Sequence, residues 1–164
     1  MTGSNDEPIA FIFDVDGTLT PSRSLIDPTF ESWLVDFCIH NDVYFVTGSD
    51  RSKTLEQLGS TLYDLAVQVY QCSGNSVWNK GIEVERNAWT LPNEARQFLT
   101  TKLDESNFSV RTGIHIEDRP GMANFSIVGR GATVSERAEY VAYEFAHKER
   151  NKIADEFNSE FMQS

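Results

Sequence analysis

The sequence has few cysteines, little positive charge and no long apolar run, and each shortage excludes a class of protein. Its 2 cysteines, Cys38 and Cys72, show neither a CxxC pattern nor metal-ligand spacing, so we predict two buried thiols in a reducing cytoplasm. No apolar run approaches the roughly 18 residues that a membrane span requires. The amino-terminal residues lack the pattern of a signal peptide, and the expected localisation is therefore cytoplasmic, with no membrane partner.

Positive charge is also scarce, with 14 Lys and Arg against 25 Asp and Glu and a net charge of −11. This balance argues against nucleic acid as a partner, because nucleic acid rewards basic surfaces. Hydrophobic residues make up 40% of the chain and aromatic residues 12%, which is enough for a real core. The length suits one domain, or one domain with part of a second.

The first half of the chain alternates predicted strands and helices. Strands are expected at residues 9–14, 42–47 and 66–70, and the helix between the second and third should stop near Gly59. This order predicts a parallel sheet with right-handed crossovers. Each strand is followed by a cluster of polar residues, and ligands of such sheets bind beyond the carboxyl ends of the strands.

The second half has a different pattern. A β-hairpin should turn at residues 79–81, a helix should span about 92–103, and two antiparallel strands should lie within 112–130. Thr133 and Glu136 fit a capping box. It should open a long helix with the following residues inward: Tyr140, Val141, Phe145 and Ala146. We place a boundary near residue 86, giving domains 1–86 and 87–164.

The clearest chemical signal is the segment FDVDGTLT, which directly follows the first strand. Asp14 at the strand end can attack phosphorus and form an aspartyl-phosphate. Asp16 can protonate the leaving oxygen and later deprotonate the acceptor. The competing interpretation is a simple acidic turn after a strand, because Asp-Gly is common in turns.

A second signal is a group of arginines in an otherwise acidic chain. Arg119 lies at a predicted hairpin turn, Arg130 follows the next strand, and Arg137 lies in the first turn of a helix. An arginine at a helix amino terminus opposes the helix dipole unless an anion lies nearby. The arginines therefore indicate an anion site, although spacing alone also allows three solvated surface side chains.

The segment DVDGTLT resembles the first motif of the haloacid dehalogenase (HAD) phosphotransferases, in which the positions of Asp14 and Asp16 are nucleophile and acid/base. The resemblance implies Mg²⁺ held by the Asp14 side chain and the Asp16 backbone carbonyl, and hard oxygen ligands suit that ion. YFVTGSD resembles the second motif and implies that the Thr47 hydroxyl binds the phosphoryl group, with Ser49 as the less favoured choice.

EDRPGMANFSIVGR followed by SER resembles the cap signature of eukaryotic-type α-phosphomannomutases. The sugar-phosphate-binding arginines of that family match Arg119, Arg130 and Arg137, and another substrate-contacting arginine matches Arg23. The implied fold is α/β, a HAD-like Rossmannoid parallel-sheet core with an α+β cap, both expected to be incomplete. The implied substrates are mannose 1- and 6-phosphate, interconverted for GDP-mannose synthesis.

The third and fourth HAD motifs, a lysine and an acidic strand end, have no counterpart after Arg137. Lys148 and Lys152 lie on a predicted helix, and no apolar strand precedes Asp155. A fragment, one half of a split enzyme and a shortened homologue all remain open, as do a sugar-phosphate phosphatase and a non-catalytic binding protein. Mannose against glucose is undecided, and a homodimer through the cap is compatible with the resemblance.

Overall fold

The structure, a computed structural model, describes residues 9–21 and 24–161. The chain divides into two compact units, Met1–Ala88 and Trp89–Ser164, called here the N-terminal and C-terminal units. Each unit contains a hydrophobic core of its own. The predicted roles of these regions as core and cap stay predictions. In the described part of the chain, no helix is long and apolar enough to cross a membrane.

The N-terminal unit is a sheet with helices, and its strands follow the order of the chain. The strands are β1 (Ala10–Asp14), β2 (Asp42–Val46), β3 (Gln68–Gln71), β4 (Ser76–Asn79) and β5 (Ile82–Arg86). The helices are α1 (Pro28–His40) and α2 (Arg51–Leu65). Because β1, β2 and β3 pair in parallel, the predicted α/β class is confirmed. The predicted hairpin is also present as the antiparallel pair β4–β5.

Helix α1 begins after an Asp27 cap with proline at its first position, a combination that favours a helix start. The Asp27 side chain accepts hydrogen bonds from the backbone N–H groups of Thr29 and Phe30, at 3.0 and 3.1 Å. Its carboxylate thereby satisfies backbone donors that the first helical turn leaves open. The inner face of α1 carries Cys38, which is buried, as Cys72 is after β3. Both thiols are therefore buried, as predicted. Burial disfavours the charged thiolate and raises the pKa of the Cys38 thiol to about 11.

The C-terminal unit combines three helices with a two-stranded sheet. Its elements are α3 (Asn93–Glu105), β6 (Ile116–Arg119), β7 (Met122–Phe125), α4 (Val134–His147) and α5 (Glu149–Phe161). The antiparallel pair predicted within 112–130 is confirmed, although each strand has 4 residues and the flanks are loops. The capping box is also confirmed, with Thr133 and Glu136 bonding reciprocally.

The prediction for the inward face of α4 is wrong except for Tyr140. Val141 and Phe145 are 66% and 79% exposed, and Ala146 is exposed as well. The buried face turns through Tyr140 and Tyr143 because both rings pack on Phe108, with centroids 5.0 and 5.3 Å away. Apolar residues occur on more than one side of α4, so periodicity alone could not decide which side packs.

The long helix predicted after Thr133 is divided into two helices, α4 and α5. The backbone of Lys148 adopts a left-handed conformation with φ 54°, and its N–H bonds to the Glu144 carbonyl as a helix end does. Lys148 therefore lies at the break between α4 and α5 and not within a continuous helix. This break brings α5 beside α3, where Phe157 and Phe161 pack against Phe98.

One arginine that the sequence did not single out holds the end of α3. The Arg111 guanidinium donates to backbone carbonyls of Leu103, Ser106, Phe108 and Val110. The last carbonyls of a helix lack intrahelical partners, so a cation with several donors satisfies them well. Arg111 thereby fixes the connection that leads from α3 into the strand pair.

Candidate active site

The carboxyl ends of β1 and β2 bring together the polar residues that the motifs predicted. The two strands are parallel and in register, with Asp14 opposite Val46, so Thr47 begins the next turn beside the end of β1. Asp14 is exposed, and its Oδ2 accepts a hydrogen bond from the Thr18 hydroxyl at 3.2 Å. An exposed carboxylate at a strand end is accessible to an incoming phosphate group.

The loop after β1 is tied to itself by backbone hydrogen bonds. The carbonyl of Val15 accepts from the N–H groups of Leu19 and Thr20, at 3.0 and 3.1 Å. Val15 and Leu19 are buried in the core, while Asp14 remains at the surface. The alternation of buried and exposed residues therefore holds the acidic residues at the edge of the sheet.

The Asp16 carboxylate is held from both sides by neutral donors. Ser49 Oγ donates to Oδ2 at 3.1 Å, and Gln57 Nε2 donates to Oδ1 at 3.0 Å. The same Gln57 amide group bonds Thr20 Oγ1 at 3.0 Å. Gln57 is only 2% exposed, so its side chain has little freedom to move away. The geometry orients the carboxyl group that the motif assigns to proton transfer.

A break in α2 lies two residues after Gln57. Gly59 lies within α2 at φ 75° and ψ 167°, a conformation that interrupts the helix and that glycine adopts without steric cost. The Gln57 carbonyl accepts a hydrogen bond from the N–H of Ile26 at 2.9 Å. The predicted helix stop at Gly59 is therefore present as a kink, and the helix resumes to Leu65.

Thr47 and Ser49 are both buried, but their hydroxyl groups face different neighbours. Thr47 Oγ1 accepts the N–H of Ser49 at 3.0 Å, and the Thr47 backbone bonds Tyr70 and Ser73. Ser49 Oγ is the hydroxyl that contacts Asp16. The structure thus places both candidates for the second motif in one turn, with Thr47 rigidly fixed by its backbone.

Two of the three predicted arginines, Arg119 and Arg130, converge on one carboxylate. Glu117 Oε2 lies 3.0 Å from Arg119 Nη2 and 3.0 Å from Arg130 Nε. The side chains of Arg119 and Arg130 are 8% and 29% exposed, so neither is a solvated surface residue. The two guanidinium groups therefore lie side by side in the strand pair and the loop that follows it.

Arg137 acts on the same loop from the first turn of α4. Its Nε donates to the Ala132 carbonyl and its Nη2 to the Arg130 carbonyl, both at 3.0 Å. Arg130 and Arg137 also line an open groove of about 920 Å³ within the C-terminal unit, whose walls include Phe125 and Ile127. The three predicted arginines are thus brought together, and Arg137 fixes the backbone that carries Arg130.

Sequence reasoning missed two residues of these sites. Gln57 lies within α2, and nothing in a single sequence links it to Asp16, 41 positions earlier. Glu117 stands two residues before Arg119 on a strand, so the alternation of side chains could have placed both on one face. The predicted substrate residue Arg23 lies outside the described residues.

Comparison with known proteins identifies the family. A sequence model described as eukaryotic phosphomannomutase matches residues 31–164, most of the chain. The chain belongs to the eukaryotic phosphomannomutase family. A phosphomannomutase from Saccharomyces cerevisiae is 33% identical over 156 residues, covering 92% of this chain and 61% of the relative. Phosphomannomutase 1 from Mus musculus is 32% identical over 165 residues, covering 94% and 62%.

The chain therefore spans about three fifths of the length of these phosphomannomutases. Among solved structures, the N-terminally truncated, IMP-bound Plasmodium falciparum IMP-nucleotidase matches with a TM-score of 0.55 at 12% identity. The match covers 96% of this chain and 48% of that one. At this identity the likeness shows a shared fold and says nothing about substrate.

Proposed function

We propose that this chain carries the phosphoryl-transfer site of a phosphomannomutase, which interconverts mannose 6-phosphate and mannose 1-phosphate in the cytoplasm for GDP-mannose synthesis. Family membership and the fixed carboxyl group of Asp16 support phosphoryl transfer. The observation that favours a mutase is the convergence of Arg119 and Arg130 on one oxygen. A mutase must hold a second, non-reacting phosphate, whereas a phosphatase has no such requirement.

In the proposed reaction Asp14 already carries a phosphoryl group, supplied by the hexose bisphosphate. Asp16 removes the proton from the free hydroxyl of a mannose monophosphate, that oxygen attacks phosphorus, and the bond from phosphorus to Asp14 breaks, giving a hexose bisphosphate. The bisphosphate then turns round, a carboxylate oxygen of Asp14 attacks the other phosphorus, and the bond from that phosphorus to the sugar oxygen breaks as Asp16 returns its proton to this oxygen. In each step the arginines would hold the phosphate that does not react.

The donor set at the end of β1 fits part of a magnesium site. Asp14 and the Asp16 backbone offer hard oxygen atoms, which Mg²⁺ prefers, and these groups would hold the ion. Bound there, the ion supplies positive charge to the phosphoryl oxygens. Within residues 9–21 and 24–161, no group of three or more His, Cys, Asp or Glu side chains forms a metal cluster. Further ligands would therefore be waters, phosphate oxygens or groups from another segment.

The products of one incubation separate the candidate functions. The purified chain is mixed with Mg²⁺, mannose 1-phosphate and a trace of hexose 1,6-bisphosphate, and products are followed by ³¹P NMR. A mutase gives mannose 6-phosphate, and a phosphatase gives inorganic phosphate instead. If neither appears with the chain alone or with the part of the yeast relative that this chain does not match added, the catalytic proposal is wrong and a binding role remains.

Loss of the amide that orients Asp16 should lower turnover more than stability. We expect Gln57→Leu to reduce kcat by about a hundredfold, because proton transfer depends on a correctly placed carboxyl group. The matched control is Gln71→Leu, since Gln71 is the other fully buried glutamine of the N-terminal unit and bonds Tyr63 instead. Equal losses of kcat in both variants would show that Gln57 acts only through the fold.

Removing one guanidinium from the anion site should weaken substrate binding. We expect Arg130→Ala to reduce the affinity for mannose 1-phosphate by about 1.5–3 kcal/mol, the worth of a hydrogen bond between charged groups. Arg96→Ala is the control, because Arg96 pairs with Asp118 outside this cluster. Titration calorimetry measures both variants, and an unchanged affinity in Arg130→Ala contradicts the assignment of this arginine.

A further inference from the structure

A carboxylate lies at the centre of the arginine cluster, where an anion site would not be expected to carry negative charge. Glu117 Oε2 contacts Arg119 Nη2 and Arg130 Nε, each at 3.0 Å. The same oxygen accepts a hydrogen bond from Asn124 Nδ2 at 3.3 Å. Three donors from three places in the C-terminal unit therefore meet at one atom.

The fold makes this arrangement specific. Glu117 and Arg119 are two residues apart on β6, so their side chains lie on the same face of the strand pair. Asn124 is the direct cross-strand partner of Glu117 on β7. Arg130 arrives from the loop after β7, where Arg137 holds its backbone carbonyl at 3.0 Å. Side chains from β6, from β7 and from the loop after β7 therefore all contact the Glu117 carboxylate.

Two guanidinium groups placed side by side repel each other, and long side chains lose rotamer freedom when they are held. A carboxylate between them offsets the repulsion and accepts hydrogen bonds that fix both orientations. The pairing with Glu117 therefore orients the guanidinium groups before any phosphate arrives.

We propose that Glu117 is a positioning residue of the phosphate site, and that it strengthens phosphate binding although it is negatively charged. The proposal rests on the proposed function, in which Arg119 and Arg130 bind the non-reacting phosphate. The proposal predicts the direction in which phosphate affinity changes when the Glu117 carboxylate is removed. If Coulomb attraction alone decided the affinity, removing a negative charge from an anion site would tighten binding. If Glu117 preorganises the arginines, binding weakens, because the arginines must then be ordered at the moment of binding.

The experiment is titration calorimetry of inorganic phosphate with the full chain. We expect Glu117→Ala to weaken phosphate binding by roughly tenfold, the scale on which partners that orient binding groups act elsewhere. Glu117→Gln keeps a carbonyl oxygen that both guanidinium groups can bond, so its affinity should lie between those of the alanine variant and the native chain. Asp104→Asn, an exposed site in the same unit with the same change in charge, should leave binding almost unchanged.

The outcomes distinguish the existence of the anion site from the positioning role of Glu117. If the native chain does not bind phosphate, the anion site and the role of Glu117 are both overturned. If the native chain binds and Glu117→Ala binds equally well or more tightly, only the positioning role is overturned. Thermal unfolding without phosphate shows whether each variant is folded. Should the alanine variant fail to fold, the glutamine variant decides, because tighter binding than the native chain contradicts the proposal.

Discussion

Replacing Asp14 by asparagine is expected to reduce phosphoryl transfer by about four orders of magnitude or more, since an amide cannot form the aspartyl-phosphate. Asp14 is exposed, and the amide oxygen of an asparagine at this position can accept the hydrogen bond from the Thr18 hydroxyl equally well. Stability should therefore change little. The measurement is the rate of mannose 6-phosphate formation, together with intact-mass detection of the phosphoryl adduct on the protein.

The control for this variant is Asp64→Asn, an exposed aspartate of the same unit that lies on α2. It makes the same chemical change and should retain full turnover and the adduct. An Asp14→Asn variant that kept native turnover, or still acquired the phosphoryl group, would remove Asp14 from the role of nucleophile. Loss of turnover in both variants would instead indicate sensitivity to net charge.

Gly129→Ala is expected to destabilise the C-terminal unit by about 4 kcal/mol or more, through backbone strain and a steric clash together. Gly129 has φ 85°, and a Cβ atom there would lie 1.8 Å from the carbonyl oxygen of Thr112. That oxygen belongs to the backbone, so no side chain can move aside. Because Arg130 is the next residue, the variant should also lose phosphate binding.

Gly131→Ala is a matched control two residues away. A Cβ atom at Gly131 would meet its nearest neighbours at 3.5 Å, an ordinary van der Waals distance. Urea unfolding, monitored by hydrogen exchange of the backbone amides of β6 and β7, compares the free energy of unfolding of the two variants. If Gly129→Ala were as stable as Gly131→Ala, the close approach of the Thr112 and Gly129 segments would be contradicted.

Much of the N-terminal unit could be predicted because its signals are local. Each of the three parallel strands is an apolar run before a polar cluster, and the predicted bounds agree with the observed ones to within a few residues. The Asp27 cap and the Thr133 capping box depend on residues within one helical turn. Signals of this range survive folding, because the atoms that create them are close in the chain as well as in space.

The errors arose where several faces or partners were available. Helix α4 carries apolar residues on more than one side, and the rings of Phe108, Tyr140 and Tyr143 decide which side is buried. The break at Lys148 follows no glycine or proline, so no local signal marked it. In both places the packing of α3, α4 and α5 selects the conformation. Packing depends on residues that are distant in the chain, so the local sequence does not predict it.

The sequence by itself determined the chemistry that this chain can offer: carboxylates at the end of β1, hydroxyls after β2 and arginines around the predicted hairpin. Only the tertiary structure decided how these groups are held. Gln57 and Ser49 reach Asp16 from α2 and the turn before it, and Glu117 draws Arg119 and Arg130 to one atom. The physical reason is that hydrogen bonds and ion pairs act over about 3 Å, and only folding brings residues that are distant in the chain to that separation.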